Sequence, residues 1–126
     1  AMSEAVDSGP IYDQIDISLN GSLSEIFGRL NNVVNLLMLR LIDHLPEPKI
    51  QTGNVHRFTR LGDKDNEINY EANIQQFHNS IRMLDDPSYP NAYLNLQNVC
   101  IEFYDIIRKG NELFCKVRIF EKDMGK

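Results

Sequence analysis

The run from Ser22 to Leu45 decides the fold. It opens Ser22-Leu23-Ser24-Glu25-Ile26-Phe27 and continues through Leu30, Val34, Leu36-Leu37-Met38-Leu39, Leu41 and Ile42 to Leu45. Ser22-x-x-Glu25 is a capping box: the Ser22 hydroxyl can accept the Glu25 backbone N–H, while the Glu25 carboxylate reaches back to the Ser22 N–H. Leu23, Ile26, Phe27, Leu30, Val34, Leu37, Leu41 and Leu45 recur at three and four residues, which is one face of a helix. Leu36, Met38, Leu39 and Ile42 widen that face well past a stripe. A helix this apolar calls for two neighbours, or for one neighbour and a partner chain. Pro46 and Pro48 end it.

Upstream, Pro10 to Leu19 alternates apolar Ile11, Ile15, Ile17 and Leu19 with polar Gln14, Asp16 and Ser18. That period of two predicts a strand with one buried face, broken by Asn20-Gly21. Downstream, residues 49–69 read as a connector whose only strand-like piece is Val55 to Arg60. A second helix is expected from about Glu71 to Leu84, with Ile74, Phe77, Ile81 and Leu84 on one face and Asp85-Asp86-Pro87 as its stop. The tail reads as a β-meander: Ala92 to Leu96, a Gln97-Asn98 turn, Val99 to Ile107, a longer turn over residues 108–112, then Leu113 to Phe120. The expected class is α+β. The first strand has no partner in this order and the broad helix too little sheet to cover, so both belong by pattern to a larger α/β sheet.

Composition narrows the function. The 126 residues are 42% hydrophobic and 25% charged, ordinary for one globular domain and unlike a disordered, collagenous or disulfide-dense chain. The longest apolar run, Leu36 to Leu39, is far short of the roughly 18 residues of a membrane span. Met2-Ser3-Glu4 has no leader-like pattern, so a cytoplasmic location and no membrane partner are expected. Residues 1–45 carry two basic side chains against six acidic ones, within a net charge of −5. No Lys/Arg stripe suited to a phosphate backbone exists, so a nucleic-acid partner is not expected from composition. Cys100 and Cys115 fall on separate predicted strands and read as reduced core thiols, with a structural disulfide the other option.

Glycine-rich nucleotide loops, nucleophile elbows and zinc spacings are absent, and no metal site is expected. His44 sits at a helix C-terminus, where an imidazolium suits the dipole. His78 lies beside an apolar face and reads as a packed or surface side chain; His56 falls in the connector. One segment stands out, Val6-Asp7-Ser8-Gly9-Pro10-Ile11, an acidic turn directly before a strand. It reads either as a solvated turn, with Asp and Ser bonding nearby amides and Gly supplying positive φ, or as a carboxylate held at a strand edge to orient a histidine or manage protons on an attacking amine.

Three blocks of sequence carry a family resemblance. Val6-Asp7-Ser8-Gly9-Pro10-Ile11-Tyr12-Asp13-Gln14 resembles the Val-Asp-x-Gly-Pro-Ile-x-x-Gln segment of enzymes that transfer a formyl group from 10-formyltetrahydrofolate to an amine. His56 to Arg60 with Asp63-Lys64-Asp65 and Glu67-Ile68-Asn69-Tyr70 resembles their Phe-x-Arg-Arg-x-Pro-x-Asp…Ile-Asp-Trp stretch. Ile81-Arg82-Met83-Leu84-Asp85-Asp86-Pro87 with Tyr89-Pro90-Asn91-Ala92-Tyr93 resembles the Ile-Arg-x-Leu-x-x-Pro-x-Tyr-Pro-x-Ala-Tyr stretch of their C-terminal subdomain. Leu61 replaces the second Arg of the connector motif, Gly62 or Asp63 its Pro, and Asn69-Tyr70 its Asp-Trp.

The resemblance implies an organisation. Residues 1–48 would be the end of a Rossmann-like formyltransferase domain (Asp-x-Gly loop, strand, long helix), 49–69 a connector, and 70–126 a C-terminal helix plus three-stranded antiparallel meander. It implies that Asp7 is the catalytic Asp of an Asn, His and Asp centre, and that Ser3, Glu4, Ala5 and Asp7 face the folate. The Asn-x-His part of that centre has no counterpart in these residues, so the chain by itself is expected to be inactive. The length after the connector and its lack of basic charge favour the branch acting on nucleotide-linked amino sugars over methionyl-tRNA formyltransferase, the alternative. A homodimer is expected. A non-enzymatic α+β interaction module is the remaining reading, motivated by the open helix face and unpaired strand edges.

Overall fold

The computed structural model describes residues 7–122. Two helices and a three-stranded antiparallel sheet make an α+β chain: α1 Leu23–Asp43, α2 Ile74–Arg82, β1 Ala92–Asn95, β2 Val99–Lys109 and β3 Glu112–Glu121. The described residues divide into two compact units, one of residues 7–20 and 26–59, the other of residues 21–25 and 60–122.

α1 from Ile26 on dominates the first unit, and its first three residues count with the second. Its capping box forms at the preceding turn, with the Ser22 N–H donating to Glu25 Oε2 at 2.8 Å and the Glu25 N–H to Ser22 Oγ at 3.4 Å. Along the rest of the helix Ile26 is buried and Phe27, Leu37 and Leu41 are half-buried, but Leu36, Met38, Leu39 and Ile42 are exposed, so much of the broad apolar face lacks cover among the described residues. The strand expected over 10–19 does not form a ladder. Its one pairing is an antiparallel bridge in which Ile11 and Lys49 exchange two hydrogen bonds of 2.8 Å. The alternation is real, since Ile15 and Ile17 are half-buried while Gln14, Asp16 and Ser18 are exposed. A strand, however, needs a neighbour to supply its bonds, and none lies beside 12–19 among the described residues. Backbone carbonyls there are met by Arg29, which donates Nε to Ser18 O at 3.0 Å and a second guanidinium bond to Asn20 O. The Val55 to Arg60 piece is not a strand either; every residue of it is exposed.

The second unit closes its own core. Ile68, Ile81, Ala92 and Phe103 are buried together, and Phe77 of α2 meets Phe103 of β2 edge to face, centroids 5.3 Å apart. α2 is shorter than the Glu71 to Leu84 expectation because Asn73 caps it: its side chain accepts the Gln76 N–H at 3.0 Å, and Gln76 Oε1 accepts the Asn73 N–H at 2.9 Å. Residues 69–72 form a turn, with the Ala72 N–H bonded to Asn69 O. The Ile68 N–H reaches Tyr93 O at 2.7 Å, so the chain entering this unit runs along the β1 edge. Toward the turn, β2 runs two residues and β3 one residue further than expected, and they turn at Gly110-Asn111. Gly110 there supplies the positive φ that tight hairpins require.

The cysteines differ from expectation in burial. Cys100 on β2 is buried, but Cys115 on β3 is exposed, because β3 is an edge strand and α2 packs mainly over β2. Strand alternation puts the two on opposite faces, and both thiols are free.

Candidate functional site

The candidate catalytic turn belongs to the first unit. Asp7 is exposed and adopts φ 55°, the left-handed region that costs an ordinary L-residue about 1–2 kcal/mol. Asp tolerates it better than most because its short side chain can bond locally. Two restraints hold the segment. Gln51 Nε2 donates to Asp7 O at 2.9 Å and to Gly9 O at 2.7 Å. The Ile11–Lys49 bridge then fixes the chain two residues on. The other residues expected to face the folate, Ser3, Glu4 and Ala5, lie outside the described residues. Nothing in the sequence marks Gln51; only the fold brings it to the turn.

The second unit contains a recess of about 650 Å³ lined by Asp85, Asp86, Glu102, Tyr104, Asp105 and Arg118 among others. Its origin is a β-bulge. Tyr104 pairs with Lys116 and Ile107 with Phe114, so Asp105 and Ile106 together oppose the single residue Cys115. Asp105 takes φ 52° there. A bulge frees backbone amides, and the Asp85 carboxylate takes both: Oδ1 accepts the Asp105 N–H at 3.0 Å and Oδ2 the Ile106 N–H at 3.3 Å. The neighbouring carboxylates are also engaged. Asp86 accepts the Ser24 hydroxyl at 2.7 Å and the Ser88 N–H at 2.9 Å, which pull its carboxyl below the usual range. Asp105 holds Lys116 at 2.6 Å, and Glu102 meets Arg118 at 3.5 Å. The carboxylates of the recess are therefore spent on the fold.

The histidines are not brought together. His44 follows α1 and donates its backbone N–H to Arg40 O, and His56 is exposed in the connector. The buried Nδ1 of His78 has no hydrogen-bond partner. Desolvation, then the Arg82 and Arg108 charges, hold its imidazole below the ordinary histidine value. Burial raises the Cys100 thiol, which is the opposite of an activated nucleophile. Among the described residues no group of three or more His, Cys, Asp or Glu is disposed to hold a metal, and no helix is long and apolar enough to cross a membrane.

Comparison with known proteins bears on the resemblance noted in the sequence. Residues 63–120 match the family model described as methionyl-tRNA formyltransferase, C-terminal domain. The solved structure of methionyl-tRNA formyltransferase from Clostridium thermocellum is similar with a TM-score of 0.90 and 28% identity, covering 96% of this chain and 54% of that one. The chain thus spans about half the length of that relative. No curated protein sequence matches it. The chain is thus similar to the C-terminal part of a methionyl-tRNA formyltransferase.

Proposed function

We propose that the enzyme to which this chain belongs transfers a formyl group from 10-formyltetrahydrofolate to a primary amine, with the amino group of methionyl-tRNA as acceptor. The observation that carries this reading is the likeness to a methionyl-tRNA formyltransferase over 96% of the chain. In the reaction the bond between the formyl carbon and folate N10 breaks and an amide C–N bond forms. The amine loses a proton and N10 of the released tetrahydrofolate gains one. Asp7 is the carboxylate of this chain that fits the resemblance. Its role would be to orient and charge-stabilise a histidine supplied from outside these residues, and to help carry the proton lost by the amine. Ser3, Glu4 and Ala5 would offer backbone groups to the folate.

Charge supports a second acceptor, a nucleotide-linked amino sugar. Residues 60–122 hold eight Lys and Arg against ten Asp and Glu. A surface that grips a tRNA backbone needs a cationic excess, whereas a small nucleotide sugar makes no such demand.

The test supplies the whole enzyme with 10-formyltetrahydrofolate and either acceptor and follows release of tetrahydrofolate. Turnover with methionyl-tRNA alone supports the first acceptor and turnover with the amino sugar alone the second; turnover with neither removes both. Asp7→Asn is expected to lower kcat by at least two orders of magnitude with little change in KM. Near-wild-type turnover in that variant would end the catalytic assignment.

A further inference from the structure

We propose that Gln51 is a positioning residue for the catalytic turn, acting on the Asp7 backbone while touching neither substrate. The proposal rests on the reading of Asp7 given above. A primary amide carries two N–H donors on one nitrogen. Here that nitrogen lies 2.9 Å from Asp7 O and 2.7 Å from Gly9 O, so each donor meets one carbonyl. The amide oxygen in the same place would face two acceptors, which fixes the orientation of the side chain.

The two carbonyls flank Ser8, so the Gln51 amide ties together the ends of the turn whose first residue holds positive φ. Two residues beyond, Ile11 and Lys49 exchange hydrogen bonds of 2.8 Å in both directions. Lys49 and Gln51 lie on one short stretch that carries both ties, and Gln51 is separated from Asp7 by 44 positions in sequence. The residues between Asp7 and Ile11 are thereby held at both ends by one opposing strand of chain. Among the described residues Asp7 is exposed and no packing fixes its side chain, so its direction depends on its backbone. A carboxylate that must meet a histidine within hydrogen-bond distance tolerates little displacement, and misplacement on the order of 1 Å can cost about a hundredfold in rate.

The experiment compares Gln51→Met, which keeps length without a donor, with Gln51→Glu, which keeps shape but sets a carboxylate against two carbonyls. In the whole enzyme Gln51→Met is expected to lower kcat roughly tenfold to a hundredfold with KM for both substrates nearly unchanged. Gln51→Glu should be at least as impaired, whereas a role in bulk alone would leave it active. Added to Asp7→Asn, Gln51→Met should change kcat by less than about twofold, since it acts through that carboxylate. Wild-type turnover in Gln51→Met beside a crippled Asp7→Asn would overturn the positioning role while leaving the Asp7 reading intact. If Asp7→Asn is itself active, the reading of Asp7 falls instead. Amide exchange then decides whether Gln51 holds the turn: in Gln51→Met the Ile11 amide should exchange about tenfold faster, with β2 and β3 amides unchanged to report an intact fold. Unchanged exchange at Ile11 would remove the tie as well.

Discussion

The two units solve the same problem to different degrees. The second buries Ile81 and Phe103 together with Ile68 and Ala92, and Phe77, Leu84, Leu94 and Ile101 pack against them. The first has a 21-residue helix whose apolar face is largely exposed, and an extended segment secured by the Ile11–Lys49 bridge, Arg29 and Gln51. Regular secondary structure alone therefore does not make a core. α1 has a capping box like that of α2 and is more than twice as long, yet burial depends on what lies opposite.

Matched truncations would break this contrast most sharply. Phe103→Ala should destabilise the second unit by about 3–5 kcal/mol, the usual cost of removing a buried aromatic side chain. Ile42→Ala, at a side chain 80% exposed, should fall within about 0.5 kcal/mol of the parent. Equilibrium urea denaturation checks both, and equal losses would mean that the α1 face is buried in solution.

A smaller effect sharpens the second unit's side of the comparison. Asp85→Ala leaves two bulge amides without their acceptor and should cost about 1–3 kcal/mol in the same assay. Asp85→Asn, which retains one acceptor oxygen, should cost less.

The smallest effect is read by pH. The folded-state value of His78 lies below its unfolded one, so the unfolded chain binds the proton more readily. Stability is therefore full above about pH 6.5 and falls as pH drops from there through the folded value. His78→Leu should flatten that slope and, by removing a buried ring nitrogen with no partner, match or slightly exceed the parent near neutrality. A slope unchanged in His78→Leu would place the titration elsewhere.

Local features were legible in the sequence where one residue type answers another a few positions away. Ser22 with Glu25 marks the start of α1, and the alternation from Val99 to Phe120 marks the hairpin. Asn73-x-x-Gln76 carries the same kind of signal for α2, and it explains why that helix starts three residues after Glu71. What the sequence did not show depends on pairs remote along the chain. Asp85 reads as a helix stop, yet its carboxylate serves amides twenty residues on. Gln51 reads as a connector residue and is met at Asp7 only after folding. The alternation over 10–19 is present but undecided by itself, since a strand is defined by its neighbour. For the candidate site, Asp7 was legible as a turn residue, while the restraint upon it was not.

The bulge opposite Cys115 has one more consequence. A two-stranded hairpin can slide by two residues and keep its faces, so hydrophobic pattern alone leaves several alignments open. Asp85 distinguishes among them, because only the alignment that loops out Asp105 and Ile106 offers its carboxylate two unclaimed amides in the right place. A misaligned ladder would leave that anion unanswered. The chain thus carries its own proofreading mark: a single acid, placed after α2, that recognises when β2 and β3 have been joined correctly.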